Sequence, residues 1–322
     1  MRRKNAWTTY NKKQLDELEK LCKNYLKFLD KGKTERECVK QIVKQAEEKG
    51  YVNLADITKD KKALKAGDKV YSVCMDKTVA LFQIGKKKLE KGMNILGAHI
   101  DSPRMDVKQN PLYESEEFAY LDTHYYGGIK KYQWVTLPLA LHGVVVKKDG
   151  TVITVNVGED KNDPVFCVTD LLIHLAGEQM EKKAAKVIEG ENLDLIIGSI
   201  PAEADEKDDV KEKVKANIMK ILAKEYDIEE EDFLSAEIEV VPAGEARDYG
   251  FDRSMIMGYG HDDRVCAYPS FEAIAAMEKP EITSVCLLVD KEEIGSVGAS
   301  GMQSRFCLLY TSPSPRDRTR SR

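Results

Sequence analysis

A chain of 322 residues exceeds the usual single-domain size, and 42% hydrophobic with 33% charged residues describes a folded globular protein of two domains, not a disordered one. A formal net charge of -5 argues against nucleic acid as the main partner, because phosphate binding needs a basic face. No long apolar stretch marks a membrane span, and Met1-Arg2-Arg3-Lys4-Asn5 leads into a polar segment, so neither a signal peptide nor a membrane partner is expected.

The chain begins with a helical pattern: Leu15, Leu18, Leu21, Cys22, Tyr25, Leu26 and Leu29 recur at three- and four-residue spacing, the mark of one buried helix face. A second helix is predicted to open at Thr34, with Glu37 completing a capping box, and to run through Val39, Ile42, Val43 and Ala46 to a stop near Gly50. From about Asp68 strands follow, over Val70 to Val73, Thr78 to Ile84, and Met93 to Ala98. The last run reads as a buried strand that ends in His99-Ile100-Asp101-Ser102-Pro103-Arg104, where Pro103 stops it. The ends of buried strands are where open α/β sheets place their chemistry.

From roughly Val107 to Val241 the texture changes, and the segment reads as an inserted domain. Trp134 to Leu141 predicts a strand. Val144 to Val146 and Val152 to Val155 flank Lys147-Lys148-Asp149-Gly150, a hairpin signal. Helical patterns follow over Leu171 to Ala185 and at Val210, Val214, Ile218, Ile221 and Leu222, then a strand over Ala236 to Val241. A helix carrying Val265, Ala267 and Ile274 is predicted from Asp262, with a break or kink at Pro269. Ser284 to Val289 is a short apolar run, read as a buried strand, that ends at Asp290-Lys291-Glu292-Glu293 before a loop with Gly295, Gly298 and Gly301.

Seven arginines serve the first 304 residues, and five more fall between Arg305 and Arg322 beside Ser-Pro-Ser-Pro. Residues 305–322 therefore read as a disordered or non-native tail. The seven cysteines are scattered singly without a CxxC pair, which suits reduced thiols in a cytoplasmic protein better than a disulfide frame or a thiolate zinc site.

Three short motifs carry chemistry. In a strand His99 and Asp101 point to the same side, so Asp101 can accept the second ring N–H of His99 and leave the other nitrogen free as a ligand. By itself, H-x-D is equally a hydrogen-bonded strand end. Asp262 and Asp263, in Gly260-His261-Asp262-Asp263-Arg264, offer a carboxylate that can bridge two cations, or a helix N-cap. Glu292 and Glu293 end a buried strand, where paired acids cost free energy unless a cation compensates them; an acidic surface pair is the alternative. One of the two can ligate while the other takes a proton from water. Together the motifs offer His, Asp and Glu ligands suited to zinc, manganese or cobalt.

These motifs resemble the aspartyl aminopeptidase and vacuolar aminopeptidase I family of dinuclear zinc metallopeptidases. The resemblance rests on Gly97 to Arg104, Asp232 to Glu237, Gly260 to Arg264 and Asp290 to Ser296, in family order. It implies an α/β class, with a mixed-sheet α/β/α catalytic domain (1–106 and 246–304) interrupted by a β-rich dimerisation domain (107–245). It implies that His99 binds one metal, Asp262 bridges two, and Glu293 binds the other, with Glu292 as general base and Asp101 orienting His99. The implied reaction is removal of the N-terminal residue from a peptide, by an oligomer built from dimers.

Two departures accompany the resemblance. A complete family site has five protein ligands, and the remaining aspartate and histidine are expected further along than residue 322, so the chain as written is expected to bind metal poorly. Some eukaryotic relatives insert a histidine from a neighbouring subunit, where this chain has Asp170, with His174 one helical turn on. His174, like His124 and His142, therefore reads as structural. A catalytically inactive fragment or assembly subunit is the alternative reading, and another dinuclear hydrolase, such as a deacylase or carboxypeptidase, a third.

Overall fold

Two helices start the fold by the same device. The computed structural model describes residues 4–60, 62–203 and 211–306. In α1 (Lys12–Lys31) the Asn11 and Gln14 side chains each accept the other's backbone N–H, and Thr34 and Glu37 repeat the arrangement at the start of α2 (Glu35–Glu48). The chain continues through β1 (Val52–Asn53), α3 (Leu54–Lys59), β2 (Lys69–Cys74), β3 (Thr78–Gln83) and β4 (Asn94–His99). Next come β5 (Arg104–Ser115), β6 (Phe118–Tyr126), β7 (Leu139–Val146), β8 (Val152–Val157), α4 (Gly177–Met180), β9 (Leu195–Gly198), α5 (Lys213–Tyr226) and β10 (Ala236–Pro242). Last are β11 (Arg247–Tyr249), β12 (Met255–Met257), α6 (His261–Ala275) and β13 (Ser284–Val289). The described residues form two compact units, divided at Ser102/Pro103 and Gly244/Glu245.

The first unit is built on a five-stranded mixed sheet in the order β1-β2-β3-β13-β4. β13 runs antiparallel to β3 and parallel to β4. Alternation within the two central strands buries both faces. Val79, Leu81, Cys286 and Leu288 pack with Phe28, Leu29, Ile42 and Phe271 of α1, α2 and α6, while Ala80, Phe82, Val285 and Leu287 face Leu54 and Ile57 of α3. A strand buried on both sides is apolar along its run, which explains why Val285 to Val289 shows no alternation. The fold class is thus α/β with a mixed sheet.

The second unit is a six-stranded antiparallel sheet in the order β8-β7-β10-β5-β6-β9. β7 and β8 form the hairpin predicted around Lys147 to Gly150, closed by Lys147 N–H donating to the Thr151 carbonyl. Gly143 lets β10 approach β7, since a Cβ there would stand 1.9 Å from the Glu237 carbonyl oxygen.

Several expectations need correction. The strand expected over Trp134 to Leu141 begins only at Leu139, because Thr136 takes a positive φ of 61° and Pro138 supplies no N–H. The helix expected over Leu171 to Ala185 is reduced to the four residues of α4. Leu171, Leu172, Ile173 and Leu175 are all exposed, so no buried face stabilises a longer helix. Met93 to Ala98 is not a buried strand: β4 lies at the sheet edge, and Ile95 and Leu96 are 45% and 44% exposed. α6 runs through Pro269 without a break, and its only non-helical residues are Asp262 and Asp263. Val210 and residues 307–322 of the predicted tail lie outside the described residues. Among the described residues no helix is long and apolar enough to cross a membrane.

Candidate metal centre

The parallel pairing of β4 and β13 brings two chain ends together. Val289 stands opposite His99, and the Ile100 N–H donates to the Val289 carbonyl at 2.8 Å, so both strands leave the sheet side by side at their carboxyl ends. Beyond β13 the chain makes a single 3-10 turn over Glu292–Ile294. Asp101, fully buried, lies under this turn. Its two carboxylate oxygens accept the backbone N–H groups of Glu292 and Glu293, each at 3.2 Å.

Asp101 also meets His99. The ring Nδ1 lies 3.0 Å from the Asp101 backbone carbonyl and 3.3 Å from its carboxylate, so Nδ1–H is the donor and Nε2 is left as the ligand nitrogen. Nε2 faces acids: Asp262 Oδ1 at 3.3 Å and Glu292 Oε2 at 3.7 Å. His99, Glu292 and Glu293 form a group whose ligand atoms all lie within 4.8 Å of one another. That group does not include Asp262, whose side chain is 83% exposed and lies against His99. Glu292, read from the sequence as a base beside the ligands, stands among them.

The segment that presents Asp262 is held from behind. Gly260 takes φ 81°, and a Cβ there would stand 2.2 Å from Arg264 Nη1. Arg264 is fully buried; its Nε donates to the Ile100 carbonyl at 3.3 Å and its Nη2 to the Lys33 carbonyl at 2.8 Å. The Ser102 hydroxyl donates to the Asp262 carbonyl at 2.8 Å. One guanidinium thus joins the start of α6, the end of β4 and the turn before α2. In the sequence Arg264 stands out only as part of its motif, because a charged residue carries no periodicity that marks it as buried.

The charge balance favours a cation. Burial alone would lower the His99 pKa, but the hydrogen bond and charge of Asp101, with Glu292 adding, push it up to about 9. Burial pushes Glu293 up as well; Asp101, Asp262 and Glu292 add to that and His99 opposes it. One imidazole nitrogen with several carboxylate oxygens is a donor set that fits zinc. A metal must displace the His99 proton, so zinc affinity is expected to rise about tenfold per pH unit from pH 6 and to level off above the His99 pKa. Zinc titrations at fixed ionic strength check this; an affinity independent of pH between 6 and 8 would contradict it.

The other residues singled out in the sequence lie elsewhere. His142 is buried with Nε2 3.0 Å from Glu159 Oε1, and His124 is exposed. His174 is exposed in a turn, not within a helix. Asp170 accepts from the Leu171 N–H and from Gln179 Nε2, both at 2.8 Å.

The chain is similar to known proteins over most of its length. The family profile described as aminopeptidase I zinc metalloprotease (M18) matches residues 28–311. A probable M18 family aminopeptidase 1 of Clostridium acetobutylicum is 62% identical over 303 residues, which cover 94% of this chain and 64% of the relative. The crystal structure of an M18 family aminopeptidase from Thermotoga maritima superimposes with a TM-score of 0.88 at 46% identity, over 96% of this chain and 66% of that one. A dodecameric aminopeptidase of S. cerevisiae shares the fold at 18% identity and a TM-score of 0.68, over 92% of this chain and 67% of its own. The chain therefore spans a little under two thirds of the length of the first two.

Proposed function

We infer, from the aminopeptidase I zinc metalloprotease (M18) family to which this chain belongs, that the protein acts in zinc-dependent removal of N-terminal residues from peptides. The observation that carries this reading is the convergence of His99, Glu292 and Glu293 at the ends of two parallel strands, with Asp262 against the same ring nitrogen. Two divalent ions, zinc above manganese or cobalt, would be held by His99, Asp262 and Glu293. Zinc, when bound, supplies Lewis acidity at the peptide carbonyl and lowers the pKa of water. Glu292 takes the proton from the attacking water and returns it to the leaving amine. Asp101 keeps the Nδ1–H of His99 engaged, so that Nε2 stays unprotonated once metal is bound.

The domain assignment belongs to the same reading. Residues 1–106 and 246–304 form the catalytic part, and the β-rich residues 107–245 dimerise, building a larger homo-oligomer. The dodecameric yeast relative supports assembly. Peptides, and neither nucleic acid nor membrane, are the partners, in the cytoplasm.

One observation favours a second reading, a folded subunit that binds metal weakly. The described residues bring three ligands within 4.8 Å, and two four-coordinate ions ask for more. Metal content separates the two readings, because tightly bound zinc with turnover removes the second. Aminoacyl reporter substrates set against N-acyl ones separate an aminopeptidase from a deacylase or carboxypeptidase, and cleavage of the N-acyl set alone would overturn the assignment.

A further inference from the structure

Asp290 is almost wholly buried, 1% exposed, and takes no part in the chemistry proposed above. It sits at the end of β13, two residues before Glu292. Its carboxylate accepts the hydroxyl of Ser300, and its backbone pairs with Gly301 in an isolated parallel bridge. Thr78, fully buried at the start of β3, closes the arrangement from below. Its hydroxyl donates to the Ser300 carbonyl at 2.6 Å and accepts the Asp290 N–H at 3.1 Å. The two ends of the segment 290–301 are therefore fastened to one buried point.

Between those ends the segment is shaped by its own backbone. Lys291 takes φ 69°, Gly295 takes φ 88°, and the Ser296 N–H donates back to the Lys291 carbonyl at 2.6 Å. A Cβ at Gly301 would stand 2.3 Å from the Ser296 carbonyl oxygen, so the return of the chain depends on glycine there. Glu292 and Glu293 lie at the start of this loop and touch the protein interior through the two N–H groups they donate to Asp101. Neither of those bonds is short, at 3.2 Å each, and Glu292 itself is exposed.

A buried carboxylate is costly; Lys291 Nζ offsets part of that cost from 4.0 Å, and among the described residues the side chain hydrogen-bonded to it is Ser300, on the far side of the loop. An apolar residue would fill the same space without that cost. We propose that Asp290 is a positioning residue: by holding Ser300 it closes the 290–301 loop and presents Glu292 and Glu293 to His99. This rests on the reading of Glu292 and Glu293 as the base and a metal ligand. Asp290 acts on how those two are placed.

The test reads the loop in the 322-residue chain without metal, by amide hydrogen exchange resolved residue by residue in NMR. In Asp290→Ala the Glu292 and Glu293 amides should exchange about tenfold faster or more, the factor that accompanies loss of one net buried hydrogen bond. Asp290→Asn keeps an oxygen to accept from Ser300 and should restore near wild-type exchange at both amides. Ser300→Ala removes the same bond from its other end and should reproduce the effect, and it decides the matter if Asp290→Ala does not fold. Unchanged exchange at Glu292 and Glu293 in Ser300→Ala and Asp290→Ala would overturn the proposal. So would acceleration spread evenly over β3, β13 and α6, which marks general destabilisation. Failure of zinc to bind would count against the proposed function and leave these exchange rates as they are.

Discussion

Arg264→Ala is expected to destabilise the unit that carries the metal centre by about 3–5 kcal/mol, the scale of two lost charge-assisted hydrogen bonds in a buried site. The guanidinium is fully buried and donates to the carbonyls of Ile100 and Lys33. Alanine removes both donors and leaves a void where the head group packed beside Gly260 and under the Tyr259 ring, 5.5 Å from its centroid. Arg264→Lys keeps the charge but has no planar fork to serve two carbonyls at once, so most of the loss should remain. Urea unfolding monitored within this unit measures the change. A loss under about 1 kcal/mol would mean that the buried guanidinium is not what ties α6 to the end of β4.

Asp101→Ala is expected to lower zinc affinity roughly 10–100-fold, the usual range for loss of a partner that orients a ligating histidine. Two effects combine here. The His99 ring loses the carboxylate at 3.3 Å, and the Glu292–Glu293 turn loses both acceptors of its N–H groups. The charge effect has a definite sign. Asp101 raises the His99 pKa while burial lowers it, so without Asp101 the ring should titrate well below its present value of about 9. Histidine NMR titration of the metal-free variant checks this, and a pKa still near the original value would show that Asp101 is not what holds the proton. Asp101→Asn separates the two effects, because an amide oxygen still accepts an N–H but carries no charge.

Much of this was legible in the sequence, for reasons that differ from residue to residue. Thr34 and Glu37 announce a helix start because a capping box is local chemistry, complete within four residues. Val285 to Val289 announces a buried strand because burial on both faces favours an unbroken apolar run. β4 shows the limit of that logic. Its apolar run is as convincing as that of β13, yet position at the sheet edge leaves Ile95 and Leu96 exposed, and sequence pattern does not specify which strand lies outermost. The stretch from Leu171 to Ala185 shows another limit. Apolar residues at helical spacing form a helix only where a partner surface covers them, and Leu171, Leu172, Ile173 and Leu175 have none within the chain as described.

The site divides in the same way. His99 and Asp101 were readable because a spacing of two puts both on one side of a strand. The contact of Asp101 with the amides of Glu292 and Glu293 joins residues about 190 positions apart, and depends on the parallel register of β4 with β13. Asp232 to Glu237, one of the motifs carrying the family resemblance, lies in the second unit. It forms a 3-10 turn leading into β10, with the Ser235 hydroxyl donating to the Val146 carbonyl at 2.6 Å.

The central claim is that zinc binds where β4 and β13 end, with His99 as its nitrogen ligand. The chain has five histidines, few enough for each ring to be assigned by single substitution, so zinc titration followed by histidine ring NMR tests the claim directly. The expected result is a saturable shift of the His99 ring with His124, His142 and His174 unmoved, and loss of that binding in His99→Ala. Zinc bound with the His99 ring unperturbed, or bound equally well by His99→Ala, would contradict it.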